Sequence, residues 1–294
     1  MLEPSATLLY AERDSVKLFL DIYNAAEGAV TTVDGKPKPA VLFVFGGGFV
    51  IGERDHESYN PWFRALTENG YTVISIDYRL AMKGNTEKGL AVIGAIHRAV
   101  EAAVEDLFSA TTFLIANAAE LGIDPFNMVI SGSSAGAMTV LQAEWEISSG
   151  GPLAAVLPAG FDYAGVMSFA GAVFSDRGGI RYTSGSAPTL LFHGTDDKIV
   201  PYRRNLRIFK LQFSSSPALA RFLRRDGSVC SIYRFKGAAH EIASSMYRNL
   251  KEELQFIETS VIRKENRVVD AMVEDPDIPP FKNLSLKQMY NQSL

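Results

Sequence analysis

Cysteine is nearly absent from this sequence. Cys230 is the single one in 294 residues, so no disulfide can close within the chain. It lies in the alternating apolar stretch 228–235, where a buried structural thiol is expected. Histidine is scarce too: His56, His97, His193 and His240 are the four positions open to an imidazole base. No apolar run has the length of a bilayer span, the longest in the helical region being 89–96. No excess of positive charge exists either. The formal net charge is −4, and the short cluster Arg221, Arg224, Arg225 reads as the solvated face of a helix. A nucleic-acid partner is therefore not expected, since no basic stripe is available to neutralise phosphates. The opening MLEPSATLLYAERD has no basic region followed by a long apolar stretch, so no secretion signal is expected in it. A cytoplasmic protein and a secreted one with its signal removed would read alike. What is present is ordinary for a folded domain. With 47% hydrophobic and 21% charged residues the chain can bury a large core without a disulfide or metal staple.

Short apolar runs alternate with amphipathic segments along the chain. Residues 8–10 and 17–23 read as two strands around a polar turn. In the second, Val16, Leu18, Leu20 and Ile22 recur at the period of a half-buried strand. A loop rich in Gly, Pro and Lys follows at 34–39. Residues 40–45 are apolar throughout, as in a strand covered on both faces, and 71–77, 128–131, 164–170, 189–193 and 228–235 continue the series. Helices are expected at 61–69, 105–121, 135–147 and 242–262. This order implies an α/β fold: a mostly parallel central sheet flanked by helices, with antiparallel N-terminal strands. Residues 82–104 carry an apolar face of Leu90, Ile93, His97, Val100 and Val104. They read equally as a cap over a pocket or as an extra surface-packed helix. The expected domain is 1–262. The proline-containing tail 263–294 should wrap the surface or contact another subunit.

The residues that carry chemistry begin with Gly132-Ser133-Ser134-Ala135-Gly136, a G-x-S-x-G pattern. Alone it is a weak signal, and a glycine-serine loop with Ser133 or Ser134 capping a helix is the bland reading. Its context adds weight, because it stands between an apolar strand and a helix, where a nucleophile elbow belongs. Ser134 would then project above the sheet, near the positive end of the helix dipole. A serine hydroxyl needs a base, and the base needs an orienting acid. His240 follows the strand at 228–235, in a loop at a strand's carboxyl end, where such sheets present catalytic groups. His193 ends a strand and should pack beneath the site. His97 reads as a helix-surface or cap residue. His56 reads equally as a pocket wall or as a solvent-exposed side chain. The acid should lie between serine and histidine in the chain, in His193-Gly194-Thr195-Asp196-Asp197. Asp197 is favoured, leaving Asp196 to stabilise a turn. The oxyanion hole is expected at Phe45-Gly46-Gly47-Gly48-Phe49, with donors from the amides of Gly47 or Gly48 and of Ala135. A phosphate-cradling loop would need other glycine spacings. Phe49 and Phe174 stand near these motifs, as pocket walls or as core.

Taken together, VLFVFGGGFVIGERD, VISIDYRL, LGIDPFNMVISGSSAGA, HGTDDKIVP and GAAH resemble the carboxylesterase/lipase branch of the α/β-hydrolases, and in particular bacterial acetyl-xylan and feruloyl esterase-like hydrolases. The likeness covers roughly 8–262, with four motifs in order. It implies an α/β-hydrolase fold, a triad of Ser134, Asp197 and His240, and a structural role for Asp77, Tyr78 and Arg79, with Asp77 and Arg79 paired. One departure stands out. The family places His before the three glycines, where it supports the loop by hydrogen bonding, and this chain has Phe45, so that support must come from elsewhere.

The expected activity is hydrolysis of carboxylic esters by a serine esterase through an acyl-enzyme, on acetyl or feruloyl esters of carbohydrate. Neither a metal nor an organic cofactor is required. The expected partner is a small-molecule or carbohydrate ester, with no nucleic acid and no membrane span. A homo-oligomer is left open. A serine peptidase of the same fold and a catalytically silent hydrolase-fold binding protein are the rival readings.

Overall fold

The computed structural model describes residues 2–13, 15–88, 91–183, 185–208 and 210–278. The chain opens with β1 (Ala6–Arg13) and β2 (Val16–Tyr23), paired antiparallel. A two-residue hairpin follows, β3 (Thr32–Val33) and β4 (Lys36–Pro37). Next come β5 (Ala40–Val44), α1 (Asn60–Glu68), β6 (Val73–Ile76), α2 (Ala91–Ala116), the single turn α3 (Ala118–Leu121), β7 (Met128–Ser133) and α4 (Ala135–Ser148). Strands β8 (Gly165–Phe169), β9 (Ala172–Ser175), β10 (Thr189–Gly194), β11 (Asn205–Ile208) and β12 (Leu211–Ser215) lead to α5 (Ser216–Arg225). The described chain ends with β13 (Cys230–Phe235), α6 (Leu250–Phe256) and β14 (Asp270–Val273).

Nine strands form the central sheet in the order β1-β2-β6-β5-β7-β8-β10-β13-β14. β2 pairs antiparallel with β1 and β6, and the remaining pairs are parallel. Every residue of β5, β6 and β7 is buried, Ser75, Ser131 and Ser133 included, as in strands covered on both faces. Phe43 of β5 shows why the sheet packs so firmly on α1: its ring meets Trp62 at 5.1 Å and Phe63 at 5.6 Å between centroids. Fully burying a side chain of that size contributes roughly 1.5–3 kcal/mol. Cys230 is fully buried, and burial pushes its thiol up to about 12. No helix among the described residues is long and apolar enough to cross a membrane.

Four segments differ from expectation. Residues 91–104 and 105–116 are one helix, because the buried stripe Ala95, Ala99, Ala103, Leu107, Leu114 runs through without a break. Leu90, placed on that face by sequence, lies outside the described residues. The helix expected over 242–262 begins instead as two tight 3₁₀ turns (His240–Ser244 and Met246–Asn249) and ends in a π-helical turn (Ile257–Ile262). Ser245 Oγ donates to Ile242 O, and Asn249 Nδ2 donates to Ser245 O. These side chains take carbonyls that a continuous helix would use. A separate antiparallel sheet, β11-β12-β9, has no counterpart in the sequence reading. Part of the C-terminal tail adds β14 to the central sheet, where Asp270 pairs with Arg224 and Arg234. Residues 279–294 lie outside the described residues.

Candidate active site

The strand-to-helix turn at Ser134 is strained. Its φ of 50° and ψ of −110° lie outside the regions that side chains prefer. The flanking glycines make this turn possible. A Cβ on Gly132 would run into the backbone of Gly136, and one on Gly136 into the carbonyl of Val44. The Ser134 amide donates to Phe169 O at 2.9 Å, which fixes the turn against β8.

Two loops bring partners to this serine. Ser134 Oγ stands 2.7 Å from His240 Nε2, and His240 Nδ1 stands 2.8 Å from Asp197 Oδ2. The three groups follow β7, β10 and β13 at their carboxyl ends, where a doubly wound sheet opens its crevice. His240 can approach because Gly194 has no side chain: a Cβ there would strike the carbonyls of Ala238 and Ala239. Ser133 Oγ donates to Ala243 O at 2.6 Å, tying the elbow to the turn that carries His240.

Asp197 is buried and over-determined. Its Oδ1 accepts from the amides of Ile199 at 2.9 Å and Val200 at 3.0 Å. His193, fully buried beneath it, has Nε2 2.9 Å from Val200 O and 3.3 Å from Asp197 Oδ2. Burial alone would raise the Asp197 carboxyl, but the hydrogen bonds from His193 and His240 outweigh it and hold the group well below its usual range. The carboxylate therefore stays ionised wherever the imidazole needs it.

The glycine loop follows β5, next to β7 in the sheet. Gly47 and Gly48 take φ of 118° and 63°, and a Cβ on Gly47 would collide with Ile51 O, so glycine is required there. Gly47 O accepts from the amides of Val50 and Ile51, closing the turn. Gly48 and Ala135 line one small cavity with Ser134, and Gly47 shapes the turn behind them. The missing histidine is replaced by an aromatic pair. Phe45 packs on Tyr78 with ring centroids 4.4 Å apart, and the Tyr78 hydroxyl donates to Phe45 O at 3.0 Å, with Gly46 O at 3.5 Å.

Other residues singled out by sequence fall as follows. Asp196 is exposed and accepts from Thr195 Oγ1 at 3.1 Å, a turn contact. His56 is exposed and caps a turn through Ser58, and it is not part of the cavity wall at Ser134. Phe49 and Phe174 are both buried and line the cavity at Ser134. The expected Asp77–Arg79 pair does not form. Asp77 accepts from the Phe19 amide and pairs with Arg54 at 2.9 Å, while Arg79 forks onto Asp106 and reaches Glu105 at 2.7 Å. Asp106 offers both oxygens to the planar guanidinium, a geometry that a neighbour two residues away on the chain does not provide. Sequence reasoning missed Met138, Ile96 and Phe213 in the cavity wall. Met138 could have been found, because it stands one helical turn after Ser134. Phe213 had no signal, since its strand belongs to the unexpected sheet. Among the described residues, His97, Glu101 and Asp176 bring potential metal-ligand atoms within 4.8 Å of one another, behind Phe174 and away from Ser134's relay.

Comparison with known proteins bears on the family and the fold. The profile of the phospholipase/carboxylesterase family matches residues 95–259, and the profile named BD-FAE matches residues 20–144. Carboxylesterase NlhH of Mycobacterium tuberculosis is 31% identical over 116 residues, 39% of this chain and 31% of that protein. The non-reducing polyketide synthase ausA of Emericella nidulans is 38% identical over 74 residues, 25% of this chain and 3% of that protein. The chain thus spans less than a third of the length of either relative. Among solved structures, the apo form of Thermogutta terrifontis esterase 2 superposes with a TM-score of 0.61 at 22% identity, covering 87% of this chain and 96% of that one.

Proposed function

This chain belongs to the phospholipase/carboxylesterase family of α/β-hydrolases, and from that premise we propose that it is a serine hydrolase of carboxylic esters working through an acyl-enzyme. The observation that carries the reading is the unbroken relay from Ser134 Oγ through His240 to the depressed Asp197 carboxyl. Ser134 Oγ attacks the ester carbonyl carbon while its proton passes to His240 Nε2. Asp197 accepts from His240 Nδ1 throughout, which fixes the tautomer and stabilises the imidazolium without taking the proton. Amides of the Gly47–Gly48 turn and of Ala135 receive the carbonyl oxygen as it becomes negative. His240 then gives its proton to the departing alcohol oxygen. A water molecule, deprotonated by His240, cleaves the acyl-serine, and Ser134 regains its proton as the acid leaves. Ester groups on carbohydrate are the substrates that the family likeness favours.

Ser134→Ala tests the assignment with 4-nitrophenyl acetate as substrate. We expect kcat to fall by on the order of a million-fold, and labelling by a fluorophosphonate probe to vanish. Undiminished turnover would sink the serine mechanism. Preference for an aminoacyl-arylamide over the aryl acetate would instead move the enzyme to the peptidase side of the fold.

A further inference from the structure

A second hydrogen-bonded chain runs behind the triad. His193, the next-to-last residue of β10, is fully buried. Its Nδ1 stands 2.7 Å from Ser216 Oγ, at the start of α5, and that hydroxyl also lies 3.2 Å from Gly171 O. Gly171 comes two residues after Phe169, whose carbonyl accepts from the Ser134 amide at 2.9 Å. Ala170, between them, is held at a φ of 60° and donates to Phe192 O at 2.8 Å, next to His193 in β10. The acid loop and the nucleophile turn are thus joined through His193, by a route that does not pass through His240.

The acceptors around the ring fix its proton. Nε2 stands 2.9 Å from Val200 O and 3.3 Å from Asp197 Oδ2, and a carbonyl and a carboxylate can only accept. Nε2 therefore carries a hydrogen, and in the neutral ring Nδ1 takes the Ser216 hydroxyl proton. The same Oδ2 accepts from His240 Nδ1 at 2.8 Å. One carboxylate oxygen thus lies between two imidazole N–H groups, one at the nucleophile and one in the core. Resting on the serine-esterase reading above, we propose that His193 is a positioning residue for the relay: it holds the Asp197 loop against the nucleophile turn and draws part of the charge of Oδ2 away from His240.

The other ionisable groups near the pair are engaged elsewhere or stand farther off. Tyr202, on the turn after Asp197, has its ring centroid 5.5 Å from that of His193. Arg234, in register with His193 on β13, donates to Asp270 Oδ2 at 2.9 Å. Glu241, beside His240, accepts from the Ala239 amide at 2.8 Å. From α5 comes the Ser216 hydroxyl, and β8 holds no ionisable side chain. Asp197 Oδ2 is therefore the charge that both imidazoles meet at close range.

The test is the pH profile of kcat/KM for 4-nitrophenyl acetate, measured on the full chain with active sites counted by a fluorophosphonate. Without the His193 N–H, more charge on Oδ2 is left to stabilise the imidazolium of His240. The base then stays protonated to higher pH. In His193→Phe the acid limb should therefore move up by about half a pH unit or more. Its kcat should fall roughly tenfold to 100-fold as Asp197 loses its tie to the elbow, with KM little changed. His193→Gln should restore the limb and most of kcat, because its amide can donate to Val200 O and accept from Ser216. A group that only packs would lower Tm in His193→Phe and leave the limb in place, and that result overturns the proposal. A limb that moves to lower pH overturns it too, as does His193→Gln behaving like His193→Phe. Where neither variant folds, the wild type decides: 15N-histidine NMR at pH 8 should show His193 as the Nε2–H tautomer, and the Nδ1–H tautomer overturns the proposal. Turnover that survives Ser134→Ala defeats the serine reading itself, a result separate from all of these.

Discussion

Replacing Tyr78 by Phe removes one oxygen atom and asks what holds the glycine loop in a chain with Phe45 before its three glycines. The hydroxyl is buried and donates to Phe45 O at 3.0 Å, within 3.5 Å of Gly46 O. The ring itself, tilted against Phe45 with centroids 4.4 Å apart, would stay, so apolar packing is preserved and the change is confined to the loop's carbonyls. Leaving a buried carbonyl without its donor costs about 1–3 kcal/mol. The carbonyls lie one and two residues before Gly47, so a shift there moves the oxyanion donors directly. If the whole cost is felt in the transition state, kcat falls by about five- to 150-fold at ~1.4 kcal/mol per decade. That stays below the ~3–4 kcal/mol of losing an oxyanion donor outright. KM for a short ester should change little, since Tyr78 does not line the cavity at Ser134. Steady-state kinetics on 4-nitrophenyl butyrate, with active sites counted by a fluorophosphonate, reads kcat and KM separately. A kcat within twofold of wild type alongside a lowered Tm would refute the argument, making Tyr78 a core residue and nothing more.

Glu144 is fully buried on α4. Oε1 accepts from the Ala187 amide at 2.8 Å and Oε2 has no partner among the described residues; burial pushes the carboxyl up to about 8. The folded state therefore keeps a proton that the unfolded chain releases above its ordinary pKa near ~4.3, so the group's stabilisation is complete below that value. It is lost at about 1.4 kcal/mol per pH unit as pH rises to about 8. Glu144→Gln should flatten that decline, gaining on the wild type as pH rises; urea titrations at pH 5, 6, 7 and 8 that show a constant difference would contradict this. Arg79→Met leaves the buried carboxylate of Asp106 with the backbone amide of residue 79, at 2.8 Å, and Arg13, at 3.8 Å, and should cost about 3–5 kcal/mol of unfolding free energy. Adding Asp106→Leu should recover most of that loss, and a double variant no more stable than Arg79→Met would mean that the ion pair is not the source.

The order of strands and helices was legible because it depends on neighbours a few residues apart. Runs such as 40–44 and 128–131 are too short for a buried helix and stand between turn signals, which points to strands covered on both faces. The positions of Ser134, Asp197 and His240 were legible for a related reason. Each stands where a strand ends, in a turn whose glycines are dictated by close backbone approach; the loop after 228–235 singled out His240, and spacing from His193 and Val200 favoured Asp197 over Asp196. Helix breaks were harder to read, as at 240–249, where Ser245 and Asn249 divert carbonyls through bonds that no periodicity announces.

The sequence by itself determined the α/β alternation, the strained elbow and the identity of the residues in the relay, since all follow from local conformational preference and from the chemistry a serine requires. Tertiary structure alone decided what surrounds them. Arg54 rather than Arg79 meets Asp77, Tyr78 takes up the loop that a histidine would have held, and β14 closes the sheet edge. Phe213 reaches the pocket of Ser134 from a strand nearly eighty residues away. Such contacts join groups distant in the chain, and their partners are chosen by distance and geometry in the folded state, which no local pattern encodes.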